Sequence, residues 1–122
     1  MVMVGVDDLL FQSRIRAAAQ ASGTPVTFVR HHDAFIAAIH DRQPSLVILD
    51  LDCEAIHPIA IIQQIRADPA LVAIPLVAFA AHVHADRLQA ARDAGCDRVL
   101  ARSRFVAALP ELISSVRGPS QA

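Results

Sequence analysis

Five short apolar runs, each followed by a stretch with helical spacing, decide what this chain can fold into. They lie at residues 2–6, 26–29, 46–49, 76–79 and 99–101. The central runs are apolar at nearly every position and rich in β-branched residues, as parallel strands buried on both faces are. Between them, Leu10, Arg14, Ala17 and Ala18 open a first helix, which ends near Ser22-Gly23 with the glycine suited to a left-handed cap. A second helix covers residues 33–41, with Phe35, Ile36 and Ile39 on one stripe and Pro44 closing it. The third begins at Pro58, a good first-turn residue, and carries Ile61, Ile62 and Ile65 before Asp68-Pro69. The fourth spans 85–94, with Leu88, Ala91 and Arg92 facing inward and Gly95 as its stop. In the fifth pattern, Phe105, Leu109, Leu112 and Val116, Pro110 is expected to start or break a helix.

Alternation of this kind implies an α/β fold: a doubly wound, five-stranded parallel sheet with right-handed crossovers and strand order 2-1-3-4-5. The chain has 122 residues and reads as one domain over 1–116, followed by a flexible polar tail at 117–122. A hydrophobic fraction of 54% suits a sheet covered on both sides. With a net charge of −1 and no Tyr or Trp, the chain has neither the basic face nor the stacking platform of a nucleic-acid binder. No apolar run reaches the roughly 18 residues of a membrane span, and no export signal opens the chain. The expectation is a cytoplasmic protein without a membrane partner. Cys53 and Cys96 lack metal-site spacing and read as small thiols in a reducing compartment.

Sheets of this class place their sites just beyond the carboxyl ends of the strands. The residues there are Asp7-Asp8, Arg30-His31, Asp50-Leu51-Asp52, Ala80-Ala81 and Arg102-Ser103. Strands one and three are neighbours, about 4.8 Å apart, so Asp7, Asp8 and Asp50 converge. Like charges at that range raise each other's pKa unless a cation joins them, and hard oxygen ligands suit Mg²⁺. Taken singly, each aspartate reads as a helix or turn cap; taken together they read as a cation site.

These stretches resemble the receiver domain of two-component response regulators. The matching segments are Val4-Gly5-Val6-Asp7-Asp8, Leu46-Val47-Ile48-Leu49-Asp50-Leu51-Asp52, Ile74-Pro75-Leu76-Val77-Ala78-Phe79-Ala80-Ala81 and Ala94-Gly95-Cys96-Asp97. The likeness covers the chain up to the tail. It implies a flavodoxin-like fold in which Asp50 accepts a phosphoryl group from a histidine kinase or phosphotransfer protein. By the same resemblance Asp7, Asp8 and Asp50 hold Mg²⁺, joined by the backbone carbonyl of Asp52. The metal offsets repulsion between the incoming phosphoryl oxygens and the acceptor, and an acyl phosphate forms.

Three departures from the family pattern matter. Where receivers carry Thr or Ser at the end of strand four, this chain has Ala80, and no Ser or Thr occurs between Leu46 and Arg102. The aromatic switch position on strand five is Val99. The usual lysine aligns with Arg102, since every basic residue here is arginine, and the usual proline with Ser103. Arginine keeps the charge and can bond phosphate bidentately, but it is bulkier and planar. Arg98 and Arg104 read as surface residues.

His82 and His84 lie two apart in the loop after strand four and read as loop histidines; His82 could supply a hydrogen bond in place of the missing hydroxyl. His31, His32, His40 and His57 have no nucleophile beside them, and neither Gly5 nor Gly23 matches a phosphate loop.

Three functions compete. The first is a single-domain response regulator that is no enzyme, phosphorylated on Asp50 and acting through an output protein, as a monomer or weak homodimer. Arg87, Gln89 and Arg98 are then candidates for its contact face. The second is a pseudo-receiver that binds a partner whether or not Asp50 is modified. The third is a flavodoxin-like cofactor binder, which would need a phosphate cradle that the sequence lacks.

Overall fold

The computed structural model describes residues 1–116, so the expected tail at 117–122 lies outside the described residues. Five strands form the sheet: β1 (Val2–Gly5), β2 (Val26–Phe28), β3 (Leu46–Asp50), β4 (Leu76–Ala80) and β5 (Arg98–Ala101). All neighbours pair in parallel, in the order β2-β1-β3-β4-β5. This is the expected topology. The helices are α1 (Leu9–Ser22), α2 (His32–Arg42), α3 (Pro58–Ala67), α4 (Ala85–Asp93) and α5 (Arg102–Ser114), with a 3₁₀ turn at Glu54–Ile56 before α3.

Side chains alternate across each strand, so one sheet makes two cores. Met3, Val47, Leu49, Leu76 and Ala78 pack with α2, α3 and α4 through Phe35, Ile39, Ile61, Ile62, Ile65 and Leu88. Val2, Val4, Ile48, Val77 and Phe79 pack with α1 and α5 through Phe11, Ile15, Phe105, Leu109 and Ile113. In the second core Phe79 and Phe105 stack with ring centroids 4.1 Å apart, and Phe11 tilts against Phe79 at 5.3 Å.

Two expectations need correction, and the buried face of α1 is one that the sequence reading did not name. Leu10, Arg14 and Ala17 are exposed, and the buried stripe of α1 is Phe11, Gln12, Ile15 and Ala19. The cause is packing: Phe11, Ile15 and Ala19 fill the core on this face of the sheet, where Phe11 lies against Phe79 and Phe105. Arg92 is exposed, and α4 buries only Leu88 and Ala91. Pro110 neither starts nor breaks a helix; α5 runs through it. Its ring lies on the exposed side, while Phe105, Leu109, Leu112 and Ile113 anchor the opposite stripe to the sheet.

Two features fix the sheet around the strand ends. Gly5 is needed for space, because a Cβ there would collide with Ile56 Cδ1 and crowd Phe35. At the amino end of β4, Arg66 donates to the carbonyls of Val72, Ile74 and Gly95 and to Asp97 Oδ2, 2.6 Å away. Asp97 in turn accepts the Leu76 amide. The segment 94–97 is therefore a structural joint at the end of the sheet away from the candidate site.

Candidate functional site

Asp50 is the last residue of β3 and only 3% exposed. Burial pushes its carboxyl from 3.8 up to about 6, and the charges of Asp52 and Asp7 push the same way. The Asp52 amide, which donates to Asp50 Oδ1 at 2.9 Å, and the Arg102 guanidinium pull against that rise. Asp7, just beyond β1, is exposed to solvent.

Asp8 does what a lone aspartate at this position does: its Oδ1 caps α1 by accepting the amides of Leu10 (2.9 Å) and Phe11 (3.1 Å). Among the described residues, no three His, Cys, Asp or Glu side chains stand together as a ready metal cage. The donor chemistry still fits a hard divalent cation. Mg²⁺ is commonly held by one or two carboxylates and completes its shell with water, and Asp7 and Asp50 are two carboxylates close enough to feel each other's charge. Asp8 would join through its second oxygen or by giving up its cap.

The centre that sequence reasoning missed is the Asp52 side chain, which it considered only for its backbone carbonyl. Asp52 Oδ1 accepts from Arg87 Nη1 at 2.6 Å and bonds His84 Nδ1 at 2.8 Å. Its Oδ2 accepts from the Ala81 amide at 3.1 Å and from Arg102 Nη2 at 3.2 Å. Burial alone would raise this carboxyl, but the Ala81 amide, Arg87 and His84 outweigh it and hold Asp52 below the usual carboxylate range.

Arg102 therefore enters the site. Its guanidinium lies 5.0 Å over the Phe11 ring, and its Nε is buried without a hydrogen-bond partner among the described residues. Arg87, expected on an outer contact face, turns inward to Asp52, whereas Gln89 and Arg98 are exposed. His82 is exposed while His84 is committed to Asp52, so the two histidines do not act as a pair. Ala80 is fully buried and offers no hydroxyl, and Val99 is half-buried at the edge of the α2–α3–α4 core. Ala80 and Val99 are thus apolar in place as well as in sequence.

Two cavities flank the strand ends. One of about 320 Å³ is lined by Ala81, His82, Ala101, Arg102, Ser103 and Val106. Another, of about 640 Å³, lies between the β3–α3 connection, α3 and α4, with Glu54, His57, Gln63 and Arg87 in its wall. Among the described residues no helix is long and apolar enough to cross a membrane.

No protein-family model matches the chain, and no curated protein matches it either. Solved structures do. A response regulator from Hahella chejuensis superposes with a TM-score of 0.84 at 19% identity, over 99% of this chain and 97% of that one. The chemotaxis response regulator CheY4 of Vibrio cholerae gives 0.79 at 13% identity, over 95% and 97%. The Mn²⁺-bound form of the response regulator Rcp1 gives 0.75 at 18% identity, over 94% and 89%. At such identities the likeness is one of fold. This chain has the fold of the response regulator receiver domain.

Proposed function

We propose that the chain is a receiver in phosphorelay signalling, in which Asp50 accepts a phosphoryl group from a histidine kinase or phosphotransfer protein in the presence of Mg²⁺. The observation that carries this reading is the setting of Asp50: a buried carboxylate at the end of a central strand, beside a second carboxylate and within reach of the charge of Arg102. The binding of Mn²⁺ by the fold neighbour Rcp1 supports a divalent cation here. Mg²⁺ would be held by Asp7, Asp50 and the Asp52 carbonyl, with Asp8 as a further ligand, and would draw off charge between the reacting anions.

With its carboxyl at about 6, Asp50 is mostly ionised at neutral pH and can act as a nucleophile. Oδ1 is engaged by the Asp52 amide, which leaves Oδ2 to attack phosphorus. The Oδ2–P bond forms as the donor's P–N bond breaks, and the electron pair leaves on the imidazole nitrogen. Arg102 supplies a positive group near the charge so transferred. Output passes to a protein partner, and the setting is the cytoplasm.

A second reading draws on Ala80 and on the pairing of Arg102 with Asp52: a pseudo-receiver that binds its partner without phosphorylation. Intact-mass spectrometry after incubation with acetyl phosphate and Mg²⁺ separates the two. A single phosphoryl adduct, absent in Asp50→Ala, is expected of a receiver; a folded protein with no adduct is a pseudo-receiver.

A further inference from the structure

We propose that the Asp52 carboxylate is an internal counter-ion that latches the β4–α4 loop, α4 and the start of α5 to the end of β3, and that a phosphoryl-type oxyanion on Asp50 opens this latch by drawing Arg102 away. The release step rests on the acceptor reading above; the latch itself does not.

Each oxygen of Asp52 takes two partners, and the four come from the loop (Ala81), the N-cap of α4 (His84), α4 itself (Arg87) and the first residue of α5 (Arg102). One carboxylate thus ties three segments to β3. Ala80, the position from which a hydroxyl could otherwise anchor this loop, has nothing to offer. The four bonds are unequal. Arg87 and His84 lie at 2.6 and 2.8 Å, whereas Arg102 lies at 3.2 Å, keeps a buried Nε unpaired and borders a cavity of about 320 Å³ into which it can move.

Asp50 and Asp52 share one turn, joined by the bond from the Asp52 amide to Asp50 Oδ1. A phosphoryl group on Asp50 carries more charge than the Asp52 carboxylate and presents several oxygens to a guanidinium fork. Arg102 then pairs with the phosphoryl oxygens through Nε and a terminal nitrogen. Asp52 loses one donor, and the phosphoryl oxygens compete with it for the remaining cationic partners, which weakens its hold on the loop and on Arg87. Because Arg87 also forms part of the wall of the 640 Å³ cavity, its release reshapes the surface between α3 and α4. The device would do the work of the missing hydroxyl and aromatic switch with charge alone.

Amide hydrogen exchange over residues 81–88 tests the latch, with beryllium fluoride and Mg²⁺ as the phosphoryl mimic and ¹⁹F NMR as an independent readout of binding. In the unmodified protein, beryllofluoride is expected to speed exchange in this segment by about tenfold. Asp52→Asn is expected to show the same fast exchange without beryllofluoride and no further change with it. Arg87→Gln, which leaves Asp52 and Arg102 in place, is expected to speed exchange at the start of α4 and serves if the first variant fails to fold. Slow exchange in folded Asp52→Asn or Arg87→Gln would overturn the latch. A bound ¹⁹F signal with unchanged exchange would overturn its release. Absence of any bound ¹⁹F signal would count against the acceptor reading, and so against release, while the variants alone still decide the latch.

Discussion

Asp50 and Asp52 stand two residues apart and are pushed in opposite directions. Burial leads the rise of Asp50 to about 6, whereas hydrogen bonds and cations overcome burial at Asp52. A carboxyl raised in the folded state favours its neutral form. Its cost to stability is therefore absent below the ordinary value of 3.8 and complete above about 6. Asp50→Asn keeps an acceptor for the Asp52 amide without the charge. It is expected to stabilise the fold by about 3 kcal/mol at pH 7.5, with the gain vanishing below pH ~4, as read by urea unfolding at both pH values. Equal stability of variant and parent at pH 7.5 would remove the electrostatic account of Asp50. At this scale the sequence was partly legible. Asp50 could be found because the end of a buried strand in such a sheet is where sites lie. The Asp52 cluster could not, since its side-chain partners are 32, 35 and 50 positions away and only the packed fold brings them together. Asp8 was legible both as a cap and as a ligand, and its cap is the role its hydrogen bonds display.

The elements follow from period and punctuation. Continuous apolar runs gave the strands, and Gly23, at φ 67°, ends α1 as a left-handed cap should. Phase was harder, because a helix rich in alanine offers little contrast between its faces, and the packing of Phe11 and Ile15 against the sheet decided which residues of α1 turn inward. Pro110 was misread because a local rule about proline takes no account of four buried side chains holding α5 to the sheet. Since proline has no amide hydrogen to contribute, Pro110→Ala is expected to stabilise the protein by about 1–2 kcal/mol in thermal or urea unfolding. A loss of stability would mean that the ring itself is needed for packing. Gly5→Ala is expected to act the other way, by about 1–3 kcal/mol, because the added methyl must displace Ile56 and Phe35 in a filled core. An unchanged unfolding midpoint would show that the 3₁₀ turn yields without cost.

For the whole molecule, parallel pairing sets the location of chemistry. Five strands pointing the same way gather their carboxyl ends on one edge, and helices on both faces leave that edge open. A cation bound there by Asp7 and Asp50 must compete with the proton on Asp50. Saturating Mg²⁺ is thus expected to raise the melting temperature by about 5 °C at pH 8 and by much less at pH 5, where Asp50 is mostly protonated. Calorimetry at the two pH values checks this; a shift of equal size at both would place the cation elsewhere.

The most direct measurement is to trap the acyl phosphate chemically. After phosphorylation with acetyl phosphate and Mg²⁺, borohydride reduces an aspartyl phosphate to homoserine, which tandem mass spectrometry assigns to a position. Homoserine at position 50, dependent on Mg²⁺, is the expected result. Homoserine at position 7, 8 or 52, or none in a folded protein, would contradict the assignment of Asp50 as the acceptor.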